Sequence, residues 1–174
     1  MSRRRRRAWA EGLSPDQLTE VVKERLYATI TGLAILLAIR GHGEIHEPLS
    51  VLGTLVIGVL AITLAGFVAD VVSHLSVHRT FPDRHELGHL VLIGRHAIGV
   101  VVVPAVLLLI STAGGMRPEA AVTASVWTLV ITLIVVGYLA VRRAQVIWWQ
   151  KLVAVAMLGG LGVLVVFLQV LAHG

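Results

Sequence analysis

Apolar positions in this chain gather into long unbroken runs at 26–39, 49–77, 90–112, 120–141 and 147–171, separated by short polar joints. None of the runs shows the period-two alternation of a half-buried strand, and open sheet edges have no partners in lipid, so the pattern predicts helices. Together with the polar turns that extend them, these helices run over about 14–40, 49–78, 84–112, 119–142 and 147–172. Four of the runs are long enough to cross ~30 Å of hydrocarbon at 1.5 Å per residue. The first is short for that task, and the turn around Val21 and Val22 is expected to enter the membrane interface. The fold expected is an all-α polytopic membrane bundle of five transmembrane helices.

Composition agrees with the pattern. Of 174 residues, 56% are hydrophobic and 14% charged, outside the range of soluble domains. With no cysteine, disulfides, iron–sulfur clusters and thiolate zinc sites are excluded, and any metal must be held by His, Asp, Glu or backbone oxygen. Residues 1–13 read as a basic cytoplasmic tail and 14–174 as the transmembrane domain. Ser14 is placed as N-cap, Pro15 at the first helical position, and Gln17 to complete a capping box. The acidic residues Glu11, Asp16, Glu20 and Glu24 separate Arg3 to Arg7 from the first apolar run, unlike a cleaved leader, so the first helix is expected to be retained.

With the N-terminus inside, twelve basic residues fall on the cytoplasmic side and two, Arg40 and Arg117, outside, which predicts an N-in, C-out protein of a bacterial inner membrane. Tyr27, Tyr138, Trp148 and Trp149 then lie near the inner interface, where amphipathic rings settle. The arginine run suits anionic lipid headgroups better than nucleic acid. Pro104 is expected to kink the third helix. The small residues Ala120, Ala124, Thr128 and Thr132 form a ladder suited to close packing, as do Ala156 and Gly160.

Polar chemistry concentrates around 70–96. Asp70, His74 and His78 are spaced by four, and so are His85 and His89, so each pair of imidazoles shares a helical face. The joint "RTFPD" is a tight turn that makes its two helices antiparallel. Counted outward from it, His78 lies level with His85, His74 with His89, and Asp70 with Arg95 and His96. Asp70 and Arg95 are expected to pair as a structural ion pair. His74, His78, His85, Glu86 and His89, joined by Glu24 from the first helix, form a candidate site for zinc, iron or manganese, or a proton relay. Interfacial hydration of the same side chains is the plainer alternative.

"HELGH", residues 85–89, also matches the H-E-x-x-H pattern of zinc hydrolases, in which Glu86 would be the general base. His96 lies about 10 Å further along the helix than His89 and cannot complete that site, and the extended metzincin pattern fails at Leu92 and Arg95. "GHGEIHEP", with His42, Glu44, His46 and Glu47, reads as a solvated loop, and His173 as incidental.

"ERLYATITG", "SHLSVH", "DRHELGHL" and "RRAQVIWWQ" together resemble a group of small multi-pass membrane proteins of actinobacteria. The resemblance spans most of the chain and associates His74, His78, Arg84, His85 and Glu86 with that group's pattern, without implying an activity. The start of the first helix is also similar to bacterial relatives of the lysosomal potassium channel family, but "YATITG" replaces their Phe-Ser-Asp signature, so no selectivity filter is carried over. Three functions stay open: cation transport, channel or sensing activity, in an oligomer if transport occurs; an accessory or scaffold subunit; and a membrane metal enzyme, either an H-E-x-x-H hydrolase or a His-ligated iron oxidase. A non-enzymatic role is preferred.

Overall fold

A computed structural model describes residues 15–41, 47–143, 148–150, 152–153, 156–157 and 160, with backbone only for 15–17, 85, 89 and 140–143. The described residues form α1 (Pro15–Gly41), α2 (Pro48–His78), α3 (Arg84–Ile98), a 3₁₀ turn (Gly99–Val101), α4 (Val102–Thr112) and α5 (Pro118–Arg143). No strand occurs among them. Most of the fifth apolar run lies outside the described residues, as do Ser14, the 42–46 loop and His173; Ala156 and Gly160, expected to pack closely, are exposed, and a Cβ at Gly160 would meet nothing within 4 Å among the described residues.

Three helical stretches are long and apolar enough to cross a membrane: Pro48–His78, Glu86–Thr112 and Pro118–Leu139. Their outward faces are apolar too, with Ile57, Leu64, Trp127 and Ile134 all more than 60% exposed. A helix that is apolar all round is a membrane or deep-core helix, and these are not in a deep core. The described residues are thus all-helical, with three helices apolar enough to span a membrane.

Helix α1 has the shortest apolar run and packs against α2, α3 and α5 at once. Burial among other helices spares it the all-round apolar surface that lipid would demand. Leu33 and Leu36 of α1 join Leu55 and Val59 of α2, Ala97 of α3, Leu108 of α4 and Leu129 of α5 in one core. The register of α1 on α2 is antiparallel, since Gly32 faces Leu55 and Val59 while Glu24, two turns earlier on α1, faces Gly66, further along α2; Ile35 fills the hollow at Gly58. A methyl group at Gly58 would meet the Cδ1 end of the Ile35 side chain, which would have to turn aside to admit it.

The expected third helix is one continuous rod with a defect. Pro104 has no N–H for the carbonyl four residues earlier, and the chain tightens to 3₁₀ over Gly99–Val101 directly upstream. Pro104 itself is fully buried. On α5 the small-residue ladder is not the buried face: Ala121, Val122, Ser125, Val126 and Leu129 are buried, while Ala120 is exposed. Thr128 and Thr132 donate to the carbonyls of Ala124 and Thr128, so their hydroxyls need no neighbouring helix.

Candidate functional site

Glu20, Lys23 and Glu24 lie on one face of α1, three and four residues apart. The antiparallel register carries that face to the far half of α2, where the Glu24 carboxylate rests on Gly66 and Asp70 follows one turn on. One oxygen each of Glu20, Glu24 and Asp70 lies within 4.8 Å of the other two. Glu24 is the deepest of the three, its side chain only 8% exposed. The backbone at Gly66 makes this position available. A Cβ there would stand 3.1 and 3.2 Å from the two Glu24 carboxylate oxygens.

Lys23 supplies the local positive charge. Its ammonium pairs with Glu20 and lies 4.0 Å from a Glu24 oxygen, outside hydrogen-bond reach. Glu24 accepts no hydrogen bond among the described residues. Arg25, the next cation along, lies toward His96 of α3. Two ionised carboxylates no more than 4.8 Å apart repel by at least about 3.5 kcal/mol at an effective dielectric constant of about 20. When all three carboxylates are ionised, one ammonium leaves two negative charges uncompensated among the described residues, which a cation or added protons would offset. An oxygen-only donor set favours hard ions such as Mn²⁺, Mg²⁺ or Ca²⁺.

A second polar group sits one turn further along α2. The His74 Nε2 is 3.6 Å from a Glu86 oxygen, and the rings of His74 and His78 stack at 4.5 Å between centroids with a 37° tilt. That same Glu86 oxygen, Oε2, accepts from the backbone N–H of Asp83 at 2.9 Å, while Asp83 accepts from the Glu86 N–H at 2.7 Å. This is a capping box that starts α3. Arg79, at φ 57°, ends α2 in the left-handed conformation and donates to the Leu75 carbonyl. The hairpin expected from "RTFPD" is thus present and closed at both helix ends.

The predicted residues separate into these two groups. His74, His78 and Glu86 come together at the hairpin; Glu24 joins α2 at Asp70 rather than at the histidines. His85 and His89 lie on α3, and their side chains are outside the described residues. Asp70 faces Glu20, Glu24 and Lys23; Arg95 is exposed, and no ion pair between Asp70 and Arg95 occurs among the described residues. Glu86, the base of a hydrolase reading, is about half exposed and already engaged by Asp83 and His74.

Glu20 and Asp70 as companions of Glu24 were missed from sequence. The signal was available in part, because Glu20 and Glu24 are like charges four apart on one face, an arrangement that is unfavourable unless something positive lies against it. Asp70 is likewise an acid within an apolar run and calls for a partner. Compared with known family models, curated proteins and solved structures, the chain matches none.

Proposed function

We propose that this chain is a five-helix, N-in, C-out protein of a bacterial inner membrane that handles cations at its cytoplasmic side. The carboxylates of Glu20, Glu24 and Asp70 bind the ion, a divalent metal or protons in its place. His74, His78 and Glu86, with His85 and His89 on the same hairpin, provide softer donors or a proton path next to it. One observation carries the reading: the Glu24 carboxylate is buried, without a hydrogen bond among the described residues, beside two other carboxylates and one ammonium. Buried charge of one sign in a membrane protein is expensive to keep without a task. The arginines at residues 3–7 hold the tail to anionic lipid, and a homo-oligomer supplies the second half of a pathway that one small bundle lacks. The resemblance to small actinobacterial membrane proteins is consistent with this location.

Flux into proteoliposomes tests it. Wild-type protein is expected to admit Mn²⁺ or to exchange it for protons, and Glu24→Gln with Asp70→Asn to abolish that flux. Equal flux with both carboxylates neutralised would end the proposal. A second reading, a scaffold subunit, is favoured by the capping box and the His74–Glu86 contact, which give the hairpin polar groups a purely structural use. It predicts no flux from either protein.

A further inference from the structure

We propose that Lys23 is a tethered competitor for the carboxylate site: its ammonium holds the place of the cation and must withdraw when an ion binds. This deepens the cation reading above and rests on it. Lys23 is the one described cation that pairs with Glu20 and also reaches the neighbourhood of Glu24, so it compensates the same oxygens an ion would ligate. A divalent ion inside a carboxylate group less than 5 Å across cannot share that space with an ammonium already pressed against one of its ligands.

The site has more than acidic residues to recommend it. Glu24 is more than nine-tenths buried, makes no hydrogen bond among the described residues, and is aimed at Glu20 and Asp70 by its seat on Gly66. Lys23 by contrast keeps 36% of its side chain exposed. Its four-carbon stem therefore has room to swing the ammonium out to solvent, which the buried Glu24 carboxylate lacks. Such a side chain lowers affinity without abolishing binding and makes the empty site less negative between ions. Arginine in its place would keep the charge and the competition, while glutamine would remove both.

The chain has two lysines, Lys23 and Lys151, so amine labelling has an internal reference. Full-length protein in detergent is treated with a brief pulse of an amine-acylating reagent with and without Mn²⁺, and acylation at each lysine is read by mass spectrometry. Mn²⁺ is expected to raise Lys23 labelling severalfold and leave Lys151 unchanged. Calorimetric titration is expected to show Lys23→Gln binding Mn²⁺ about tenfold more tightly than wild type, with Lys23→Arg close to wild type. If Mn²⁺ binds but Lys23 labelling is unchanged or falls, or Lys23→Gln binds no more tightly, the competitor role is wrong and the cation site still stands. If neither wild type nor Lys23→Gln binds Mn²⁺, both ideas fail.

Discussion

Replacing Gly66 by alanine puts a methyl group 3.1 to 3.3 Å from three atoms of the Glu24 carboxylate. In an ordinary helix position the same change is favourable. A Cβ at Gly53, also within α2, would meet nothing within 4 Å, so Gly53→Ala is expected to gain up to about 1 kcal/mol from helix propensity alone. At Gly66 the carboxylate must retreat by several tenths of an ångström, and its retreat is resisted by the buried setting and by Asp70 and Glu20 alongside. Overpacking of this kind costs about 1 to 3 kcal/mol. Gly66→Ala should therefore be about 1 to 3 kcal/mol less stable than Gly53→Ala, or roughly 2 to 12 °C lower in Tm for a chain of this size. Thermal unfolding in detergent measures this. Adding Glu24→Ala removes the obstructing carboxylate, so the double variant should recover the Gly66→Ala loss with a coupling of about 1 to 3 kcal/mol. Equal melting of Gly53→Ala and Gly66→Ala, or strict additivity with Glu24→Ala, would refute the seat assigned to Glu24.

The other expectations concern the hairpin and the charge cluster. Asp83→Ala and Glu86→Ala each remove half of the capping box and should lose about 1 kcal/mol in denaturant unfolding; no loss would mean the α3 start is held elsewhere. His74→Ala breaks a contact to a half-exposed carboxylate and should cost well under about 1 kcal/mol in the same measurement. Glu24→Gln relieves like-charge repulsion and should raise the Tm of chelator-treated protein, while losing any rise that Mn²⁺ produces in wild type. A lower Tm in chelator would show that Glu24 is held by a partner that needs its charge.

The helices were legible because lipid demands long apolar runs, and α2 and α5 lie close to where those runs stand. The turn after His78 and the defect before Pro104 were legible for equally local reasons: a left-handed cap, a capping box and a missing N–H. Faces were harder to read. In the expected ladder Ala120 is exposed and Ala124 only half-buried; membrane helices are apolar all round, so composition alone does not mark the packed side. The candidate site suffered most from this, since Glu24, Glu20 and Asp70 meet only through the register of α1 on α2. That register is set by Ile35 at Gly58 and by Glu24 at Gly66, contacts between residues more than twenty positions apart. The histidines drew notice because their spacing on one hairpin is a local pattern, whereas the carboxylate group is a tertiary one.

The central claim is that Glu24, Glu20 and Asp70 form one cation-binding unit. Equilibrium Mn²⁺ binding to purified protein, measured by electron paramagnetic resonance of the free ion, tests it most directly when wild type is set beside a Glu24→Gln, Asp70→Asn variant that remains helical by circular dichroism. One Mn²⁺ bound per wild-type chain and none per variant chain is the expected result. Undiminished binding by the variant, or no binding by wild type at millimolar Mn²⁺ concentrations on the order of those that saturate weak carboxylate sites, would contradict it.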